Sequence, residues 1–306
     1  MKNKLLALAA AALLAAPAWT QAADKAADKA IDTLEKIKAG GEISLGVRTS
    51  AGLGFALGDG KYAGFHTEMA ERIVEDLGKQ AGKALKINYQ AITSQNRVAL
   101  LQGGVIDFEC GSTTHNRARQ KDTDFAVTTY VDEVRMAVKA DSSIAGVADL
   151  NGKTVATTAG SSSVQHLRRH EREGGYSFKE VMGRDHAESF RLLESGRADA
   201  FVMDAATLSR NIAASANPAG YKIVGEALSI EPIACTLRKG DDKLRAAIDA
   251  SIKRQIADGS LHKLYDKWFM QPIPPHNTAL NQPLPDRVKA AWEHPGSKPQ
   301  EEHGRK

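Results

Sequence analysis

The chain has 306 residues, 42% hydrophobic, 25% charged and 6% aromatic, with 26 Gly and 2 Cys. That composition excludes collagen-like, coiled-coil, wholly disordered and small disulfide-framework folds, and the length suits about two domains. Lys and Arg number 41 against 37 Asp and Glu, a formal +4, spread along the chain rather than gathered on the basic face that a nucleic-acid binder needs.

At the amino terminus Lys2 and Lys4 precede an apolar run from Leu5 to Ala16, then Pro17 and small residues up to Ala22 and Ala23. This is the pattern of a secretory signal peptide over 1–22. Its apolar run, about a dozen residues, is shorter than the roughly 20 that span a bilayer, and no later segment is long and apolar enough to do so. Cleavage after Ala22 removes two lysines and leaves 39 basic against 37 acidic residues, a nearly neutral exported protein. In an oxidising compartment Cys110 and Cys235 are either a disulfide closing a long loop or two buried thiols.

Lys25 to Lys38 reads as a helix with Ala26, Ile31, Leu34 and Ile37 on one face, ended by Gly40-Gly41. A strand follows over Glu42 to Arg48, then a Gly-rich loop from Ala51 to Gly64 and a helix from Thr67 to Gln80. Strand Leu85 to Ile92, a helix through Val98 to Leu101 and strand Val105 to Cys110 complete a βαβαβ run, which predicts a parallel sheet covered on both faces. The second unit has strands Val134 to Lys139, Lys153 to Thr157 and Ala200 to Met203, with helices Val164 to Arg172, Glu188 to Ser195 and Ala205 to Ala214. The two units join near Thr128-Thr129-Tyr130. A third run, strand Ile233 to Leu237 and helices Lys243 to Ala257 and Leu261 to Phe269, is too short for a domain and is expected to pack back onto an earlier unit. From Gln271 the density of proline predicts extended surface chain. The segment 296–306 lacks large apolar residues and is expected to be disordered.

In open α/β sheets ligands bind beyond the carboxyl ends of the strands. The polar residues there are Arg48, Ser94, Arg97, Ser112, Thr114 and, one turn on, Arg119. In the second unit they are Thr158, Ser161, His186 and Asp204. Three guanidinium forks match carboxylates in bidentate geometry, Asp204 suits an ammonium group, and hydroxyls beside helix N-termini donate further bonds to an anion. A zwitterion with an acidic side chain fits this set.

The stretches Ile92 to Arg97, Asp107 to Thr114, Arg184 to Phe190, Leu193 to Ala198 and Lys267 to Phe269 with Pro272 to Pro275 resemble the periplasmic glutamate/aspartate-binding proteins of ABC importers. The resemblance runs from about Thr33 to Pro285. It implies an α/β two-lobed periplasmic-binding-protein fold of type II, with two hinge-crossing strands and a ligand cleft between the lobes. Lobe one would comprise 23–130 plus 228–295 and lobe two 131–227. The function implied is capture of L-glutamate or L-aspartate in the periplasm and delivery to a membrane permease, by a monomer without cofactor or metal. Carried over by residue, Arg119 with Ser112 and Thr114 would hold the ligand α-carboxylate and Asp204 would sit near the α-ammonium. Arg48, Arg97, Ser94 and His186 would face the side-chain carboxylate. Ser161 stands where the family tends to carry Thr, and the loop from Thr49 to Gly60 is smaller and less aromatic than the family pattern.

Enzyme readings find less support in the chain. Gly160-Ser161-Ser162-Ser163 lacks the Gly-x-Ser-x-Gly of a nucleophile elbow. His166 and His170 have the spacing of two zinc ligands, but Leu167-Arg168-Arg169 between them lacks the catalytic Glu and reads as a solvated charged face. One alternative is a dehydratase of prephenate-like dicarboxylates on the same scaffold, with His186 and Glu188 or Asp185 as acid and base. A sensor lobe would need a membrane span or a signalling domain.

Overall fold

The structure is a computed structural model that describes residues 32–303. The signal peptide read over 1–22 and the first turns of the helix expected from Lys25 lie outside those residues. From α1 (Thr33–Gly40) the chain enters β1 (Glu42–Arg48), then a small hairpin of β2 (Phe55–Gly58) and β3 (Lys61–Ala63), followed by α2 (Phe65–Ala81). Asp32 caps α1 by accepting the Glu35 N–H at 3.1 Å. Gly41, at φ 71°, ends the helix in the left-handed conformation that glycine adopts without strain.

Next come β4 (Lys86–Ile92), α3 (Arg97–Gln102), β5 (Phe108–Glu109) and the long β6 (Thr123–Lys139). The second half contains β7 (Thr154–Thr158), α4 (Ser162–Gly174), β8 (Lys179–Gly183), α5 (His186–Glu194), β9 (Ala200–Asp204) and α6 (Ala205–Ala214). The chain returns along β10 (Tyr221–Arg238) to α7 (Asp242–Ala257) and α8 (Ser260–Tyr265), a hairpin of β11 (Pro272–Ile273) and β12 (Thr278–Ala279), and α9 (Asp286–Glu293).

Eight strands form one sheet in the order β4-β1-β5-β10-β6-β9-β7-β8. β4, β1 and β5 run parallel at one end and β9, β7 and β8 at the other. Between them β6 and β10 pair antiparallel, from Tyr221 opposite Lys139 to Arg238 opposite Thr123. These strands have 17 and 18 residues, nearly 60 Å of chain at about 3.3 Å per residue, so each serves both halves. The register shifts between Val224 and Ser229 and again between Ile233 and Thr236, bulges that let one ladder bend between the two lobes.

Each lobe buries apolar residues on both faces of its sheet. In lobe one Leu45 and Val47 of β1 pack with Met69, Ile73 and Leu77 of α2 and Ile248 and Ile252 of α7, while Ile92, Leu101 and Ile106 close the other face. In lobe two Val134, Met136, Leu167 and Val202 lie on one face and Phe190, Leu193, Phe201 and Leu208 on the other. The third run of the sequence packs onto lobe one, where Leu244, Tyr265 and Phe269 join the core.

Several elements differ from the sequence reading. The strand expected over Val105 to Cys110 pairs only at Phe108–Glu109, because the buried Asp107 takes Lys36 at 2.7 Å and the Ser44 N–H at 2.8 Å. β8 is an edge strand whose only buried residue is Gly183, so it carries little hydrophobic alternation to read. The proline-rich stretch contains α9, where Val288 and Trp292, four residues apart, enter the lobe-one core. Residues 296–303 lie against the molecule: the Thr128 N–H donates to Gly296 O at 2.9 Å and the Gln300 N–H to His115 O at 2.8 Å.

Candidate functional site

Arg48 ends β1, Ser94 and Arg97 follow β4, Ser112 and Thr114 follow β5, and Arg119 begins the next turn. Across from them Thr158 ends β7, Ser161 precedes α4, His186 opens α5 and Asp204 ends β9. The carboxyl ends of both parallel sets therefore face one another, as the strand-end rule requires.

The lobes touch along this edge. Arg48 Nη2 lies 2.5 Å from His186 Nε2, Thr114 Oγ1 3.1 Å from Ser162 Oγ, and the Gly52 N–H donates to Thr207 Oγ1 at 3.1 Å. Arg119 spans the same line, its Nη1 donating to Thr114 O at 2.9 Å and its Nη2 to Gly160 O at 3.4 Å. Glycine is required at two of the contacts. A Cβ on Gly52 would stand 2.2 Å from the Ala206 carbonyl carbon, and one on Gly160, at φ 77°, would stand 2.8 Å from Gln95 Cα and N.

His186 is buried and both its ring nitrogens are engaged. Arg48 can only donate, so Nε2 accepts and the proton sits on Nδ1, which donates to Thr158 Oγ1 at 3.0 Å. Thr158 then donates to Ser189 Oγ at 2.8 Å, and Ser189 to Thr157 O at 2.9 Å. Burial, together with the Arg48 and Arg97 charges, drives the His186 pKa well below its usual value. The imidazole is neutral and holds Arg48.

Other polar atoms in the cleft have no protein partner among the described residues. They are Arg48 Nη1, Arg97 Nε and Nη1, Ser112 Oγ, Ser161 Oγ and Asp204 Oδ1, all buried. Arg97 is only 1% exposed and Asp204 2%, in a class of atoms that is normally satisfied. Two guanidinium groups call for an anion and one carboxylate for a cation. Burial and the nearby Arg119 and Arg48 charges depress the Arg97 pKa strongly. Arginine keeps its proton in proteins, so this buried charge favours an incoming anion.

Residues 43–271 match the bacterial extracellular solute-binding proteins, family 3. The chain belongs to this family. It is 39% identical over 296 residues to the L-glutamate/L-aspartate-binding protein of Pseudomonas aeruginosa, covering 95% of each chain. To the glutamate/aspartate import solute-binding protein of Escherichia coli it is 39% identical over 288 residues, 93% of this chain and 95% of that one. Among solved structures, an ancestral arginine-binding protein bound to arginine is similar with a TM-score of 0.67 and 32% identity, over 75% of this chain and 98% of that one.

Several polar residues of this solute-binding protein escaped the strand-end rule. Glu109, wholly buried, accepts the Gly111 N–H at 2.5 Å and the Thr113 hydroxyl, and its charge faces Arg48. Its signal was an acid inside the apolar run from Val105 to Cys110. Asp132 and Glu231 are directly opposite one another in the β6–β10 ladder, and Asp204 pairs with Val134 two residues along. Burial raises the Asp132 pKa to about 7, Glu231 and Glu133 adding to it against hydrogen bonds from the Glu133 and Ala206 N–H groups. Burial, then Asp132 and Glu231, push Asp204 well above its usual value, while Arg119 and Arg97 pull it down. Asp132 and Glu231 lie in mid-strand, which the rule does not inspect. Beside the cleft Cys110 is bonded to Cys235 of β10, S–S 2.03 Å. Among the described residues no group of three or more His, Cys, Asp or Glu is arranged to hold a metal ion.

Proposed function

We propose that this chain is a periplasmic solute-binding protein that captures L-glutamate and L-aspartate and delivers them to the membrane permease of an ABC transporter, acting as a monomer. The observation that carries this reading is the set of unpartnered buried atoms on Arg48, Arg97, Ser112, Ser161 and Asp204. A molecule with two carboxylates and one ammonium group supplies a counterpart to each. Arg119, Ser112 and Thr114 take the α-carboxylate, Asp204 the ammonium, and Arg48, Arg97 and Ser94 the side-chain carboxylate. His186 and Thr158 act through Arg48, and Ser161 adds a donor at the start of α4.

Ligand contacts from lobe one (23–130 plus 228–295) and lobe two (131–227) favour the closed arrangement by their differential affinity for it. The signal peptide over 1–22 provides export. Both curated relatives carry binding-protein names and the P. aeruginosa and E. coli proteins cover nearly the whole chain, which weighs against the dehydratase alternative. So does the proposed acid–base set: His186 has no free ring nitrogen, Asp185 caps α5 through the Glu188 N–H at 2.8 Å, and Glu188 is paired with Arg184 at 2.9 Å.

Calorimetric titration with glutamate, aspartate, glutamine and asparagine tests the reading. Both acids are expected to bind at micromolar concentration or below and both amides far more weakly. Tight binding of glutamine without a response to glutamate would overturn the acidic assignment, and turnover of a prephenate-like acid would restore the enzyme.

A further inference from the structure

The family match ends at residue 271; beyond it the described chain touches α6 of lobe two, with Gln282 Nε2 donating to Ser209 Oγ at 2.6 Å and His276 Nε2 3.2 Å from Ala214 O, then packs on lobe one and reaches the hinge strand β10 at Gln300. Trp292 Nε1 donates to Thr129 O at 2.9 Å, which fixes α9 to β6. Farther along, Ser297 Oγ donates to Phe125 O at 3.4 Å and the Arg117 N–H donates to the Glu301 carboxylate at 3.1 Å. With the Gly296 and Gln300 backbone bonds already described, the anchors of residues 292–301 named here all lie on lobe one.

The Gln300 side chain then reaches across β10. Its Nε2 is 2.5 Å from Ser229 Oγ, 2.6 Å from Glu231 Oε1 and 3.0 Å from Ile230 O. It is also 3.2 Å from Nε2 of His166, which belongs to α4 of lobe two. Glu231 is wholly buried. His166 Nε2 approaches its Oε1 at 2.9 Å, and Ser162 Oγ, in the first turn of α4, donates to its Oε2 at 2.9 Å. That same Ser162 oxygen is 3.1 Å from Thr114 Oγ1 in lobe one. A continuous chain of polar contacts thus joins the C-terminal segment, the hinge, α4 and a residue of the cleft. Burial opposes ionisation of Glu231, but the bonds from His166, Ser229 and Thr114 outweigh it and hold its pKa below the usual glutamate value.

We propose that residues 296–303 form a latch over the hinge, in which Gln300 positions Glu231 and, through it, Ser162 and Thr114, so that the segment holds the lobes closed and slows release of the amino acid. The latch rests on the acidic amino-acid reading for its ligand. Gln300 is a positioning residue that touches no ligand, and a segment that merely stabilised lobe one would lower the melting temperature without altering release.

The test compares the parent with Gln300→Ala and with a chain ended at residue 295, by stopped-flow glutamate binding, thermal melting and small-angle X-ray scattering. Loss of the Gln300 bonds should raise the dissociation rate about five- to tenfold, with association within twofold and the ligand-free melting temperature nearly unchanged in Gln300→Ala. Gln300→Glu, which sets a second carboxylate against Glu231, should accelerate release further. Should the shortened chain fail to fold, Gln300→Ala alone decides. Unchanged dissociation in Gln300→Ala, or a fall in melting temperature with no change in release, overturns the latch. If the parent binds neither acidic amino acid, the functional reading falls and scattering of the ligand-free proteins decides the latch. A larger radius of gyration in Gln300→Ala supports it and equal radii overturn it.

Discussion

Arg97→Met separates function from stability most sharply. Arg97 opens α3 with its side chain 1% exposed and its Nε and Nη1 unpartnered among the described residues. Methionine keeps the aliphatic stem and removes the charge, so no cavity of note is left. For glutamate the substitution strands a buried side-chain carboxylate, a loss of about 3–5 kcal/mol, or roughly 150- to 5,000-fold in Kd. For the ligand-free protein the sign is opposite, because a guanidinium held beside Arg48 and Arg119 is relieved of its desolvation. The gain is about 1–4 kcal/mol, worth about 2–4 °C in Tm per kcal/mol in a protein of this size. The assay is thermal melting with and without saturating glutamate, together with calorimetry of glutamate and glutamine. The variant should melt no lower than the parent when ligand-free and lose most of the glutamate-induced rise. A ligand-free Tm several degrees below the parent would make Arg97 a structural residue and refute the reasoning. Equal losses for glutamate and glutamine would refute its role as the side-chain selector.

Arg119→Ala should abolish binding of every amino acid alike, since the α-carboxylate is common to all of them and an unpaired buried charge costs several kcal/mol; retained affinity in calorimetry would place that carboxylate elsewhere. Gly52→Ala puts a Cβ 2.2 Å from the Ala206 carbonyl carbon across the cleft. Overpacking of about 1–3 kcal/mol should weaken glutamate at least about fivefold while the ligand-free Tm stays put, and full affinity would mean the lobes do not meet there. Asp132 has a folded pKa of about 7 against an ordinary 3.8, so its contribution to stability is complete below the ordinary value and is lost as pH rises through 7. Asp132→Asn keeps an acceptor for the Glu133 and Ala206 N–H groups and removes that loss. Its Tm advantage over the parent should widen by several degrees between pH 4 and pH 8, and a constant difference would show that Asp132 is ionised throughout.

The parts of the fold that were legible are those whose apolar residues recur at a regular spacing. β1 and α6 have the bounds read from the sequence: Ile43, Leu45 and Val47 alternate with Ser44 and Gly46 in β1, and α6 buries Ala206, Thr207, Leu208, Arg210 and Asn211. β6 and β10 were read only in part. β6 is buried without a break from Phe125 to Asp132, and β10 from Glu231 to Arg238, so Thr128-Thr129-Tyr130, which interrupts the apolar run, looks like a linker although it continues the ladder. α9 was masked by its surroundings: Pro283 and Pro285 stand before it, and only Val288 and Trp292 mark its buried face. In the cleft the strand-end rule found residues at the ends of strands and missed Asp132 and Glu231, which lie within them, and Glu109, which ends β5 but sits inside the longer strand that the sequence suggests. The role read for His186 also changes, because nothing in a sequence shows that Arg48 and Thr158 occupy both of its nitrogens.

Those missed acids alter what the charge of the molecule means. Arg48, Arg97 and Arg119 are opposed by Glu109, Asp132, Asp204 and Glu231, all within the range of one another's fields. If every acid were ionised the cleft would be negative and would repel an acidic ligand. Two features prevent this. Burial and mutual repulsion raise the pKa values of Asp132 and Asp204, which favours the protonated form of the pair in the absence of a ligand ammonium, and the Glu231 carboxylate is taken up by Gln300 Nε2 at 2.6 Å and Ser162 Oγ at 2.9 Å. Asp132 and Glu231 also lie on the hinge strands, while the unpartnered guanidinium nitrogens belong to Arg48, which ends β1, and Arg97, which follows β4. Discrimination between an acidic amino acid and its amide therefore comes from where each charge is held rather than from their sum, and so the formal +4 of the whole chain, like the near-neutral balance of the mature part, carries no information about the ligand.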